Sequence, residues 1–431
     1  MFLVYSVVLG LAILVSGPYW LWEMLRHAKY RAGLRERLGI IPRRVRGGGA
    51  KCIWIHAVSV GEVLAISELA RSLRSDLPDH RVVISTTTDT GQKLATSRFG
   101  SENVFYFPLD FGFAVRRWFA ELKPDLVILG ETEFWPNFLR VAAEYEARVA
   151  VVNARISDRS FRGYRRWRAL LSRVLRSVDV FLAQTPEDAR RLIEIGAPEA
   201  RVRVTGNLKF DVPAPRACDI VSQLRTALEN SHAGPILVCG STLAGEEGML
   251  VSAFDEITKR HPKAVMLLAP RHPERFEEVT RLLATGAVPF RKRSAWQGES
   301  LNGSILLVDS IGELAGLYAL ADIAFVGGSL VRGGGHNIIE PAQHSVPVLV
   351  GEHTENFRDI VNFFRDRDAV RVVAPEQLGA TFLALLAADG ERRKLGQRAL
   401  DVVESQRGAT RRTLHELKTL VARPVDEVQP A

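Results

Sequence analysis

"KCIWIHAVSVGEVLAISELARSLRS", residues 51–75, sets the pattern from which the rest of the chain is read. The run Cys52–Ile55 is apolar throughout, as in a strand covered on both faces. After Ser59 and Gly61, "EVLAISELARSLRS" spaces its apolar residues for one face of a helix. A buried strand feeding an amphipathic helix is the opening of a parallel α/β sheet. The alternation continues through "RVVISTTT", "VFYFP", "DLVILGE", "RVAVVNA", "VFLAQ" and "RVRVTG", with helical stretches such as "FAVRRWFAEL" between them. "NLKFDVPAPRACD", residues 207–219, breaks the rhythm and reads as a linker. The pattern then restarts with "PILVCGS", "AVMLLAP", "ILLVDS", "DIAFVGGS", "VPVLVG" and "VRVVA". The expected fold is α/β, with two doubly wound domains facing a central cleft. The first covers 26–206 and the second 220–431, the latter with a long helical stretch from Glu391 to Val421. Ligands in such folds bind beyond the carboxyl ends of the strands.

The bulk numbers agree with a globular chain of two or more domains: 431 residues, 47% hydrophobic and 25% charged. Cys52, Cys218 and Cys239 are too dispersed for a metal site, and the two in strand-like runs read as buried thiols. Residues 2–22 carry no charge, and a cluster rich in Arg and Lys follows them. With no basic residue ahead of that run, 1–25 is expected to be an uncleaved membrane anchor with the remainder in the cytoplasm. Gly17-Pro18 and the aromatics Tyr19, Trp20 and Trp22 also suit a helix lying in the membrane interface. Residues 159–176 hold seven arginines and no acid, with Trp167, Leu170, Leu171, Val174 and Leu175 as an apolar stripe. Anionic lipid headgroups fit this segment better than nucleic acid, for which no binding module is present.

Polar residues gather where strands end: His56–Glu62, Thr86–Asp89, Glu131–Glu133 and Asn153–Arg155 in the first domain. In the second they are Gly240–Thr242, Pro270–His272, Gly327–Ser329 and Gly351–His353. Glu62 admits two readings. With Ser59 it fits a capping box for the following helix, and at a strand's carboxyl end it suits a catalytic carboxylate. Glu131 and Glu133, alternating around Thr132, are expected to point the same way. The P-loop, G-x-G-x-x-G and G-x-S-x-G motifs are missing, which disfavours those enzyme classes. His336, His344 and His353 have no metal spacing, and "DRD" at Asp366–Asp368 reads as solvated surface, so no metal site is expected.

"RERLG", "HAVSVGE", "GETEFWPN", "NARISDRSFRGY", "GNLKFD", "GSTLAGEE", "APRHPERF", "GGGHNIIEPA" and "GEHTENFRDI" occur in this order between about Tyr30 and Asp359. Together they closely resemble the 3-deoxy-D-manno-oct-2-ulosonic acid (Kdo) transferases of Gram-negative bacteria. The resemblance implies a GT-B fold of two Rossmann-like domains, in which a C-terminal helix often returns to the first domain. It implies inverting, metal-independent transfer of Kdo from CMP-Kdo to lipid IVA at the cytoplasmic face of the inner membrane, without a cofactor. Carried over by motif, Glu62 is the general base, while Glu131 and Lys209 stabilise the transition state. CMP is expected against Pro270 and Arg271, Gly312, Glu313 and Leu314, and Asn337, Ile338, Ile339 and Glu340. Arg332 is a further candidate for phosphate, and the glycines of "GGSLVRGGGHN" are expected to let backbone approach it. Two other readings are a GT-B enzyme using a UDP-sugar, which must accommodate a second phosphate, and a non-catalytic sugar-nucleotide binder, which would not need Glu62.

Overall fold

The computed structural model describes residues 2–27, 33–47, 51–213 and 219–422. The chain forms two compact units, one running up to Val212 and resuming at Arg407, the other Pro213–Gln406.

The first unit is built on seven parallel strands: β1 (Lys51–His56), β2 (His80–Thr86), β3 (Val104–Tyr106), β4 (Pro124–Gly130), β5 (Arg148–Ala154), β6 (Val180–Ala183) and β7 (Val202–Val204). Their order is β3-β2-β1-β4-β5-β6-β7. Successive side chains of β1 serve opposite faces of the sheet. Cys52 and Trp54 enter one core, and Ile53 and Ile55 the other. Trp54 packs among Phe105, Phe119 and Phe138 at ring separations of 5.0–5.4 Å. Its indole N–H donates to the Ser85 hydroxyl at 2.7 Å, so the buried polar atom is satisfied.

The second unit repeats the plan with β8 (Ile236–Thr242), β9 (Val265–Pro270), β10 (Phe290–Lys292), β11 (Ser304–Leu307), β12 (Ile323–Val326), β13 (Val348–Val350) and β14 (Arg371–Val372). The order is β10-β11-β9-β8-β12-β13-β14, again all parallel. Winding reverses between β1 and β4 in the first sheet and between β8 and β12 in the second. These are the switch points at which such sheets bind ligands.

Several expectations are corrected. The chain from Asn207 to Val212 is no loose linker: Leu208–Asp211 forms a 3-10 turn of the first unit with Leu208 and Phe210 buried. The C-terminal helical stretch is broken at Gly408, whose φ of 93° ends Asp389–Gln406 before Ala409–Ala422 begins. The last helix therefore leaves the 220–431 domain and packs on Val60–Asp76 of the first unit. Asp211 holds it there, accepting from the Gly408 and Thr410 N–H groups. Residues 159–176 form two helices, Asp158–Arg166 and Arg168–Leu175, so the expected stripe splits. Val174 and Leu175 are buried, whereas Trp167 and Leu170 are exposed.

The expected anchor is one helix, Phe2–His27, continuous through Gly17-Pro18. Its Ser6 hydroxyl meets the buried Asn137 amide at 3.0 Å. Val7, Val8, Leu11, Leu14, Val15 and Trp22 are exposed. Among the described residues no helix is long and apolar enough to cross a membrane. Cys52 and Cys239 are buried and unpaired, and Cys218 lies outside the described residues. Asp366–Asp368 is surface, with Asp368 paired to Arg371 and Arg398.

Candidate active site

At the switch point of the first sheet, the loop after β1 leads into helix Val60–Asp76, whose first turn carries Glu62. Neither bond of the expected capping box forms. Ser59 makes no side-chain cap. Its hydroxyl instead donates to Glu62 Oε1 at 3.0 Å, while Oε2 accepts from the Val58 N–H at 2.8 Å. The carboxyl is thereby oriented on two donors. Burial, then the nearby charge of Glu131, and finally that of Glu133 push its pKa up to about 7, against the opposing Val58 and Ser59 bonds. Gly130 at the end of β4 makes room for this turn: a Cβ there would lie 3.0 Å from the His56 carbonyl and 3.7 Å from Glu62 Oε2.

Strand β4 stops at Gly130, so strand alternation does not orient Glu131 and Glu133. Glu131 instead adopts a left-handed backbone with φ 58°, and its N–H donates to the Val152 carbonyl at 2.9 Å. A non-glycine residue in this region is strained, as functional loops often are. Its carboxylate lies 3.4 Å from Lys209 Nζ, which joins the 3-10 turn to the strand-end loop. Asn153, also left-handed at φ 54°, accepts the Leu208 N–H and so fixes that turn. Glu133 is raised by burial, with the nearby Trp135 indole opposing and Glu131 adding to the rise. Glu62, Glu131, Glu133 and Lys209 thus form one charged constellation: three carboxyls and one ammonium.

In the second unit, Arg271 is exposed just after β9, and its N–H donates to the Thr242 carbonyl across the sheet. Its charge reaches both Glu340 and His336. Asn337 Nδ2 donates to Glu340 Oε1 at 3.1 Å, and Asn337 Oδ1 accepts from the Ile339 N–H. Burial raises the Glu340 carboxyl, opposed by Asn337 and by Arg271. Pro270, Ile338 and Ile339 are buried in the core, which leaves their backbones and not their side chains for a ligand. Gly312 is exposed with φ 89° and Leu314 is half-buried. Glu313 pairs with Arg293 at 2.9 Å and accepts from the Ser310 hydroxyl, so its side chain braces the loop. The glycines before His336 are held by hydrogen bonds to neighbouring loops. Gly335 N–H donates to the Gly328 carbonyl, Asn356 N–H donates to Gly334, and a Cβ on Gly334 would strike Asn356. Arg332 is exposed beside them.

Three buried polar residues at these edges have no individual role assigned from the sequence. His56 is fully buried, stacked on Phe107 at 3.8 Å, and bonded through Nδ1 to Ser85. Burial drives its pKa down to about 3, so it serves as a neutral wedge beneath the Glu62 loop. Glu247 binds Arg275 through two bonds, at 2.6 and 3.1 Å, and accepts the Thr242 hydroxyl. Glu246 is buried among four backbone N–H groups. Both glutamates stand in "GSTLAGEE", the one signal that could have drawn attention to them.

Residues 32–212 match the family profile described as 3-deoxy-D-manno-octulosonic-acid transferase (kdotransferase). The 3-deoxy-D-manno-octulosonic acid transferase of Haemophilus influenzae is 34% identical over 93% of this chain and 94% of its own length. That of Bordetella pertussis is 36% identical over 96% of this chain and 98% of its own. A glycosyltransferase from Rickettsia africae aligns with a TM-score of 0.55 at 16% identity, over 88% of this chain and all of that one, a likeness of fold alone. With relatives this similar along nearly the whole length, the chain belongs to the 3-deoxy-D-manno-octulosonic acid transferase family and is a glycosyltransferase.

Proposed function

We propose that this enzyme moves Kdo from CMP-Kdo to a hydroxyl of lipid IVA, with inversion, using Glu62 as the general base. The observation that carries the reading is the Glu62 carboxyl, oriented on two donors with a pKa of about 7 beside two further carboxyls. A base is most effective when its pKa lies near the working pH. Glu62 takes the acceptor's hydroxyl proton as that oxygen bonds to the anomeric carbon. The bond from that carbon to the CMP phosphate oxygen breaks on the opposite face, and CMP leaves with the electron pair. Lys209, held by Glu131, is a cation able to stabilise the negative charge that develops during transfer.

For the donor, Arg271 offers a guanidinium to the phosphate. Glu340, steadied by Asn337, suits the ribose hydroxyls, and the backbones of Gly312–Leu314 and Ile338–Ile339 supply the remaining polar contacts. The Glu313 side chain is assigned to bracing its loop. The helix Phe2–His27, with its exposed apolar residues, supports attachment in the interface of the inner membrane's cytoplasmic face. The arginines of 159–176, with exposed Trp167 and Leu170, add affinity for anionic headgroups.

Mass spectrometry of lipid IVA incubated with CMP-Kdo and the enzyme tests the substrates and counts the sugars added. A product heavier by one or more Kdo units is expected, and unchanged lipid IVA would reject this donor and acceptor pair. Removing residues 2–27 is expected to release the chain from anionic phospholipid vesicles on flotation. Undiminished binding would reject the anchor.

A further inference from the structure

The crevice between β8 and β12 is where a doubly wound sheet ordinarily receives a ligand's phosphate, on the amides of a helix N-terminus and an adjoining loop. Here four loop amides beside such a helix start converge on the protein's own side chain. Glu246 opens helix Glu246–Arg260 directly after the β8 loop and is 0% exposed. Its Oε2 accepts from Leu243 N–H at 2.8 Å and Gly328 N–H at 2.7 Å. Its Oε1 accepts from Ser329 N–H at 2.9 Å and Leu330 N–H at 2.8 Å. A carboxylate has about four lone-pair positions, and all are used. The backbone is shaped around this group. A Cβ on Gly327 would lie 2.8 Å from Glu246 Oε2, and Ser241, one residue before the end of β8, holds a left-handed φ of 57°.

Three consecutive amides from one loop, joined by a fourth from the facing loop, make an anion nest. We propose that Glu246 is a resident anion filling this nest, and that it restricts the donor to sugars linked to a nucleoside monophosphate. A second phosphate finds its amides taken and a like charge beside it, which is specificity by exclusion. The single phosphate is left to Arg271, outside the nest. This rests on the reading of the second unit as the nucleotide-binding one.

The test is calorimetric titration of the full-length protein with CMP and with CDP. In the wild type CDP is expected to bind no tighter than CMP, and CDP tighter by about tenfold or more would overturn the proposal. In Glu246→Ala, verified as folded by circular dichroism, the affinity ratio is expected to move towards CDP by about tenfold, as freed amides take the second phosphate. An unchanged ratio in the folded variant would also overturn it. If the alanine variant does not fold, Glu246→Gln, which keeps the volume and removes the charge, is expected to shift the ratio in the same direction, and no shift counts against the proposal. A purely structural glutamate would change both affinities together and leave the ratio alone. Failure of the wild type to bind CMP would overturn the nucleotide reading beneath, and the CMP titration by itself tells that outcome apart.

Discussion

Glu62 is less stable ionised in the folded protein than in the unfolded chain, because burial and two carboxyl neighbours disfavour its charge. Its folded pKa of about 7 lies above the ordinary 4.5, so between these values the folded state holds a proton that the unfolded state has lost. Stability therefore falls as pH rises through this window, and above pH 7 the penalty is complete. Glu62→Gln is expected to melt at a higher temperature than the wild type at pH 8, with the gap closing towards pH 4. A variant no more stable at pH 8 would contradict the raised proton affinity. At this scale the contact between Ser59 and Glu62 was legible in the sequence, since the two lie within one helical turn of each other, whereas that between Glu131 and Lys209 was not, since 78 residues separate them. Glu246 was not, because three of its four donors lie 82 to 84 residues further along the chain. The Glu313–Arg293 pair was hidden for the same reason, since the two residues lie in separate turns.

Among the elements, the alternation of strand and helix was readable because each central strand is apolar on both faces, and the two seven-stranded sheets follow from it. What could not be read was where an element breaks under distant forces. Gly408 interrupts the last helical stretch, and Asp211, about 200 residues earlier, accepts the amides that the break exposes. The helix beginning at Glu246 is tied to the turn after β9 by the Glu247–Arg275 pair, whose side chains are only 3% and 14% exposed. Removing one partner strands a buried charge. Arg275→Ala is expected to lower the unfolding free energy by about 3–5 kcal/mol, measured from the urea midpoint. A loss below about 1 kcal/mol would place this pair with ordinary surface ion pairs.

On the scale of the whole molecule, the first unit is discontinuous and the second is not. Residues 213–406 contain a complete sheet with its own core, so this fragment is expected to unfold cooperatively by itself. A chain ending at 406 lacks Ala409–Ala422, whose Leu417 and Leu420 belong to the same core as Leu69 and Leu73. It also loses the bonds that Gly408, Arg412 and Thr413 donate to Asp211 and Thr205. Such a chain is expected to aggregate on size-exclusion chromatography. A monodisperse fragment 1–406 as stable as the full chain would contradict the discontinuous unit. The sequence rhythm pointed to two domains, but rhythm alone assigns the last helix to its nearest neighbour in sequence and not to the unit it packs against.

The proposed removal of the acceptor's proton by Glu62 is tested by the pH dependence of kcat for wild type and Glu62→Gln. The wild-type rate is expected to rise with pH through about 7, where the buried carboxyl ionises. Glu62→Gln is expected to lose about a hundred- to ten-thousand-fold in kcat and the rise with it. A glutamine variant that kept a near wild-type kcat and the same rise would return Glu62 to orienting its loop and leave the base to be found elsewhere.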